Sequence, residues 1–385
     1  MLLSIVILLG LGTVAADFLF YRRRMADASP RARRLFLIAA LATDLLPVVP
    51  MLLLLLPREH ATLWMAVAMW GFFVYLLTVL PRLAYYLFRL FGLRRTAFAV
   101  AAVVAGGLVW GATYGRTTYD VREVTLRCPR LPRGFDGLRI VQFSDLHVGT
   151  LVRRDAELRR LTERINALHP DLVVFSGDLV NLHYTELDST VMRLLSAIEA
   201  PLGVWSNIGN HDTGVYVRDT VACPVAENIE RLIARQVAMG WRVPDNETVL
   251  LRRGGDTITL TGISFDPALR EQRHDRTFDV DLSAAYAGAP SGAFNITLSH
   301  LPQLWEPITA LGRGELTISG HVHAMQMALS LGGVRISPAR LLYERWSGLY
   351  ERDGRYLYIN DGIGCVGYPM RLGAWPEITV ITLVR

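Results

Sequence analysis

Leu138-Arg139-Ile140-Val141-Gln142-Phe143-Ser144-Asp145-Leu146-His147 decides how the last two-thirds of the chain is read. The apolar run Leu138 to Ser144 has the length and composition of a buried strand, and it ends on two side chains that bind metals well. The pattern returns four times. Asp171 to Ser176 leads into Gly177-Asp178, and Val204 to Ile208 leads into Gly209-Asn210-His211-Asp212. Asn295 to Leu298 leads into Ser299-His300, and Leu316 to Ser319 into Gly320-His321-Val322-His323. Helical periodicity over Arg153 to Leu168 and a helix around 186–199 fall between the first strands. Strands alternating with helices predict an α/β domain, and each candidate cluster follows a strand, at the carboxyl end where such sheets build their sites.

Two divalent cations held side by side require imidazole and carboxylate ligands, one anionic group able to bridge, and open positions for water and substrate. In an extended Asp-x-His, alternate side chains share a face, so Asp145 and His147 are expected to grip one ion together. His321-x-His323 is expected to behave in the same way. Asp178 follows a glycine that lets the chain turn tightly and is placed to bridge. Asn210 offers a neutral carbonyl oxygen, and His300 completes the second position. His169, His183 and His274 match none of these positions and read as surface residues.

In this order the segments resemble the calcineurin-like metallophosphoesterase superfamily, whose pattern is D-x-H, G-D, G-N-H-[DE], H and G-H-x-H. The resemblance covers roughly residues 137–385 and extends to the ending Tyr356-Leu357-Tyr358-Ile359-Asn360 through Pro376-Glu377-Ile378-Thr379, which is similar to a bacterial membrane-associated branch. It implies an α/β/β/α four-layer sandwich. It also implies two divalent ions (Mn, Fe or Zn), with Asp145, His147 and His323 on the first, Asp178 bridging, and Asn210, His300 and His321 on the second. The implied reaction is phosphate-ester hydrolysis by direct attack of a metal-bridging hydroxide. His211, outside the ligand set, would face the leaving group with Asp212 beside it, so that His211, Asp178 and Asp212 form the catalytic set. Two positions depart from the pattern. Asn181 stands where an acid is common, three residues after the bridging Asp, which puts the tuning of His211 in question. His323-Ala324-Met325-Gln326 stands where small glycines often follow the last motif.

The remainder of the chain has a different character. The whole is 51% hydrophobic with a mean hydropathy of +0.29, and the excess lies in residues 1–114. That part carries 11 Arg against 4 acids (+7), whereas the rest carries 29 Arg against 31 acids (−2). The pI of about 9.2 therefore reflects the apolar part, and the mildly acidic remainder argues against nucleic acid as partner. There is no Lys, which excludes Schiff-base and P-loop chemistry. Cys128, Cys223 and Cys365 are far apart and expected unpaired.

Stretches near 1–20, 35–56, 61–80 and 97–114 are each long enough for a membrane span, giving a four-helix transmembrane region over 1–114. A tether over 115–136 with a strand near Val121 to Leu126 precedes the catalytic domain, 137–385. No basic residues precede the first span, so it does not read as a cleavable signal. Arg22, Arg23, Arg24, Arg31, Arg33 and Arg34, and then Arg82, Arg89, Arg94 and Arg95, mark two cytoplasmic loops. The catalytic domain is then expected outside the cytoplasm of a bacterial inner or cell membrane. Leu83 to Leu93 reads equally as an interfacial helix or as an extension of the third span. Asp17 is expected to reach water or headgroups, and Asp44 to be a neutral structural acid. A bilayer-attached site favours envelope or lipid-linked phosphoesters. The alternatives are a cytoplasmic-facing pyrophosphohydrolase of lipid precursors and a non-catalytic metal-binding scaffold.

Overall fold

The computed structural model describes residues 2–48, 52, 61–216, 223–266 and 282–385. His274 and most of the expected span beyond Val48 lie outside the described residues. The chain divides into two compact units, one of Met1–Arg116 with Val366–Leu372, the other of Thr117–Cys365 with Gly373–Arg385.

The larger unit is mixed α/β and is built on two sheets. Strands β1 (Asp120–Arg127), β2 (Leu138–Phe143), β3 (Leu172–Phe175), β4 (Val204–Ser206) and β13 (Glu377–Val384) form the first, in the order β1-β13-β2-β3-β4. The second contains β5 (Glu247–Arg253), β6 (Asp256–Ile263), β7 (Asn295–Ser299), β8 (Leu316–Ser319), β11 (Gly348–Arg352) and β12 (Arg355–Ile359), in the order β11-β12-β8-β7-β6-β5. A separate hairpin pairs β9 (Leu329–Leu331) with β10 (Val334–Ile336). The strand expected near Val121 forms as β1 and lies parallel to β13. Segment 115–136 therefore contributes an edge strand to the first sheet.

Alternation along β2 shows how the sheets face each other. Leu138 and Ile140 join one core with Leu260, Ile296, Leu298 and Ile318 of the second sheet. Val141 and Phe143 point the other way, into a core with the helices α5 (Arg154–Asn166), α6 (Ser189–Leu195) and α7 (Val225–Ala238). Each fully buried large apolar side chain here contributes about 1.5–3 kcal/mol. The outer face of the second sheet is covered by α8 (Trp305–Ala310) and short turns, with Ile263 against Ile308 and Leu357 against Trp305. Gln142 is the polar exception on the inward face of β2. Its Nε2 donates to Ser176 Oγ at 3.1 Å and to the Ser319 carbonyl at 2.9 Å, tying three strand ends together beneath the site. The helix expected around 186–199 is shorter, because Asp188 caps it by accepting from the N–H groups of Thr190 and Val191.

The smaller unit holds α1 (Leu2–Arg24), α2 (Pro30–Asp44), α3 (Ala61–Leu90) and α4 (Arg94–Thr113). Among the described residues, Thr62–Leu90 and Arg94–Thr117 are long and apolar enough to cross a membrane. Helix α3 runs unbroken through Pro81 to Leu90, so Leu83 onward extends the third stretch. Asp17 is buried rather than reaching water or headgroups, and Asp44 is ion-paired rather than neutral. Arg82 pairs with Asp17 at 3.3 Å and with Asp44 at 2.5 Å, and the Tyr86 hydroxyl donates to Asp17 at 2.6 Å. A charge at depth needs such a partner.

Candidate metal centre

The loops after β2, β3, β4, β7 and β8 converge, and their backbones do so by an unusual route. Asp145, His147, Asp178, His321 and His323 have φ of 51°, 44°, 60°, 75° and 53°, the left-handed region that residues with a Cβ seldom adopt. The extended Asp-x-His and His-x-His geometry expected from the sequence is therefore replaced by tight left-handed turns. The run continues through Ala324, Met325 and Gln326 at 46°, 47° and 56°. Glycine adopts this conformation without penalty, which accounts for glycines being common there; this chain holds it with non-glycine residues. Two glycines are sterically required. A Cβ on Gly209 would lie 2.2 Å from Asp178 Oδ1, and one on Gly320 2.3 Å from Asp145 Oδ2.

Eight of the nine residues singled out above meet with their functional atoms together. His323 Nε2 lies 3.1 Å from Asp145 Oδ1 and 3.2 Å from His147 Nε2. His300 Nε2 lies 3.1 Å from both Asp178 Oδ2 and Asn210 Oδ1, and His147 Nε2 is 3.7 Å from Asp178 Oδ2. Asn210 Oδ1 also faces His321 Nδ1 at 2.8 Å, while its Nδ2 donates to the Tyr216 hydroxyl at 3.0 Å. Asp145 and Asp178 are almost fully buried, as are His147 and His300. His211 packs edge-on against His147, with ring centroids 4.7 Å apart. His183 and His169 take no part in these contacts.

Asp212 is placed differently. Its two carboxylate oxygens accept from four backbone N–H groups, those of Asp178, Leu179, Val180 and Gly209, at 2.8–3.0 Å. It therefore clamps the Asp178 loop to the Gly209 loop from beneath. His211 Nδ1 faces the Asn181 carbonyl at 2.7 Å, so it carries the proton and leaves Nε2 for the site. The main chain, not the missing acid side chain at 181, thus orients this ring.

Three supporting residues escaped the sequence reading. Glu186, buried, accepts from the N–H groups of Gly149, Asn181 and Leu182 at 3.0, 2.6 and 3.0 Å, and so fixes the loop whose carbonyl holds His211. A single acid in a loop carries no motif, and only its position five residues after Asn181 hints at a role. Ser144 donates to Asp145, and Asn360 Oδ1 accepts from Ser144 Oγ at 3.2 Å. Glu186→Ala leaves two buried amides and one half-buried amide without this acceptor and is expected to cost about 3 kcal/mol. Chemical unfolding of the purified protein measures this, and an unchanged midpoint would show that the loop stands without the carboxylate.

The electrostatics follow from burial with opposed charges nearby. Burial alone would raise the Asp178 carboxyl, yet His300 and His211 hold it well below the usual range. Asp145 is likewise held down by His323 and His300 against its burial. Burial works against a charge on His300, but the Asp178 and Asp145 carboxylates carry it up to about 9. Burial drives His147 well down and lowers His211. Burial and the Asp178 charge push Asp212 up to about 7.

This donor set fits divalent cations. Potential ligand atoms of Asp145, His147 and His323 lie within 4.8 Å of one another, as do those of Asp145, Asp178 and His300. His147 and Asp178 are grouped with His211 by the same measure, although Nδ1 of that ring is taken by the Asn181 carbonyl. Imidazole nitrogens facing each other at 3.2 Å and two buried carboxylates beside them are costly arrangements for protein alone. A cation between them compensates that cost.

The comparisons with known proteins agree with this geometry. The family model described as calcineurin-like phosphoesterase matches residues 138–325. A metallophosphoesterase of Bacillus subtilis (strain 168), YkuE, is 31% identical over 73% of this chain and 93% of its own length. A transmembrane protein with metallophosphoesterase domain from Danio rerio is 30% identical over 74% of this chain and 62% of its own length. The UDP-2,3-diacylglucosamine pyrophosphatase LpxG of Chlamydia trachomatis is 25% identical, covering 66% of this chain and 87% of the relative.

Proposed function

This chain belongs to the calcineurin-like metallophosphoesterase family and is a metal-dependent phosphoester hydrolase; from that premise we propose that it is a membrane-anchored, dinuclear enzyme acting on lipid-linked or envelope phosphoesters. The observation that carries the reading is the meeting of Asp145, His147, Asp178, Asn210, His300, His321 and His323 at the carboxyl ends of five strands. Asp145, His147 and His323 would hold one ion, Asn210, His300 and His321 the other, and Asp178 would lie between. Bound there, two divalent ions lower the pKa of water and neutralise charge on the phosphoryl oxygens.

The protein's own groups supply the rest. Asn210 Oδ1, fixed through Nδ2 on Tyr216, offers a neutral oxygen without adding negative charge near the phosphate. His211, oriented by the Asn181 carbonyl, presents Nε2 to the leaving group and donates a proton when charged. Asp212 acts as a positioning residue rather than a proton carrier, because both its oxygens are engaged by amides.

The apolar helices and the transmembrane relative support anchoring in a membrane. The Arg-rich segments support a catalytic domain outside the cytoplasm. A second reading, a pyrophosphohydrolase of lipid precursors facing the cytoplasm, is favoured by the relative named as a UDP-diacylglucosamine pyrophosphatase. A metal-supplemented screen of mono-, di- and pyrophosphate esters, soluble and lipid-linked, on the purified protein distinguishes the substrates. A reporter fused after Arg385 distinguishes the facing. Turnover restricted to soluble esters would overturn the lipid-linked assignment, and no turnover with any metal would overturn the enzyme.

A further inference from the structure

Six residues after His323 the chain enters the β9–β10 hairpin, whose two faces differ in chemistry. Its register pairs Leu331 with Val334 and Leu329 with Ile336 on one face, and Ser330 with Arg335 on the other. The polar face is anchored. Arg335 bonds to Asp361 and to Ser347, its guanidinium lies 5.5 Å from the Trp346 ring centroid, and Ser330 and Arg335 line a cavity with Trp375. The apolar face has no such cover. Leu329, Leu331, Val334 and Ile336 are 57, 59, 57 and 47% exposed, and the following turn adds Leu341 at 86% and Leu342 at 51%. Singly exposed aliphatics are ordinary, but so many gathered between 329 and 342 mark a contact surface. A two-stranded ribbon is marginal in water without a hydrophobic partner.

We propose that this apolar face inserts into the outer acyl layer of the lipid bilayer, beside the metal centre. The inference rests on the reading of the chain as membrane-anchored and extends it to a lipid contact by the catalytic domain itself. The chain supplies the bilayer: Arg94–Thr117 is long and apolar enough to cross one, and two residues separate its end from β1. Tethering that short holds the catalytic domain at the membrane surface. Exposed Arg340, one residue before Leu341 and Leu342, supplies the cation that meets phospholipid phosphates at the rim of such a face. A second copy of the chain would bury the same aliphatics, but it would gain nothing from that cation. Because β9 begins only six residues after His323, insertion brings the phosphoester of a bilayer-held amphiphile towards the metal ligands while its tails remain in lipid.

The test uses the full chain in nanodiscs of phosphatidylglycerol and phosphatidylcholine, with Cys223→Ser removing the partly exposed thiol. Nitroxide labels are placed singly at Leu331→Cys and Ile336→Cys, with references at Val103→Cys on α4 and Leu250→Cys on β5. Collision with oxygen should exceed collision with a water-soluble nickel complex several-fold at 331, 336 and 103, with the reverse at 250. Water-like values at 331 and 336 alongside a hydrocarbon value at 103 overturn the inference and leave the anchoring intact. A water-like value at 103 overturns the anchoring and the inference with it. Spin–spin broadening between copies at 331 assigns the face to a second copy and also overturns the inference.

Discussion

Asp178→Asn should lower kcat/KM on every phosphoester by about a thousandfold, and bound metal should fall with it. The substitution keeps the shape of the side chain and one carbonyl oxygen, so the fold is not disturbed by size. What it removes is the negative charge at the junction of the two ligand groups. Asp178 Oδ2 lies 3.1 Å from His300 Nε2 and 3.7 Å from His147 Nε2, and Oδ1 accepts from the His211 N–H at 2.8 Å. Asp178 joins both sets of imidazoles, and its Oδ2 lies nearer to His300 than the 4.0 Å that separates His300 from Asp145 Oδ1. An amide nitrogen in place of Oδ2 would also point a donor at nitrogens needed by cations. Elemental analysis of the purified variant, beside its hydrolysis rate, separates loss of metal from loss of chemistry. Full metal content with an unchanged rate would remove Asp178 from the centre.

The sequence carried the site further than it carried the geometry. Strand-like runs ending in Asp145, Asp178, Asn210, His300 and His321 were legible because apolar runs and ligand-type side chains are local signals. The left-handed turns at Asp145, His147, His321 and His323 were not. Nothing in a non-glycine residue announces a positive φ; the surrounding packing imposes it, and the reading defaulted to extended backbone. The family resemblance implies Asp212 as a partner beside His211. Its work with four amides from two loops is non-local, and therefore invisible before folding. The place of β13 between β1 and β2 is equally non-local, since its partners lie more than two hundred residues away.

The conflict between what His211 must do and where it sits leads to the second large effect. A general acid must be charged, yet burial lowers the pKa of this ring. The Asp178 carboxylate opposes that shift, and the Asn181 carbonyl accepts from Nδ1 in either protonation state. In the free enzyme the charged form is therefore lost as pH rises through a value below that of an ordinary histidine. Since kcat/KM reports the free enzyme, its decline with rising pH for a poor leaving group should lie below about pH 6.5. An aryl ester, whose leaving group departs without a proton, should not show this decline.

His211→Ala should retain its metal, because the ring lies outside the proposed ligand set. It should lose about 10²–10⁴-fold in turnover of alkyl phosphoesters, the range that a positioned proton donor contributes. For aryl esters with acidic leaving groups the loss should be far smaller. The contrast is the informative quantity, since a general disturbance of the pocket would slow both classes equally. Glu186→Ala should reproduce part of the contrast, because it loosens the loop whose carbonyl fixes the ring. The measurement is kcat against leaving-group pKa for the wild type and both variants, with metal content checked in each. The slope should steepen most in His211→Ala. Parallel lines displaced by a constant factor would assign His211 to the shape of the pocket and leave the proton to another donor.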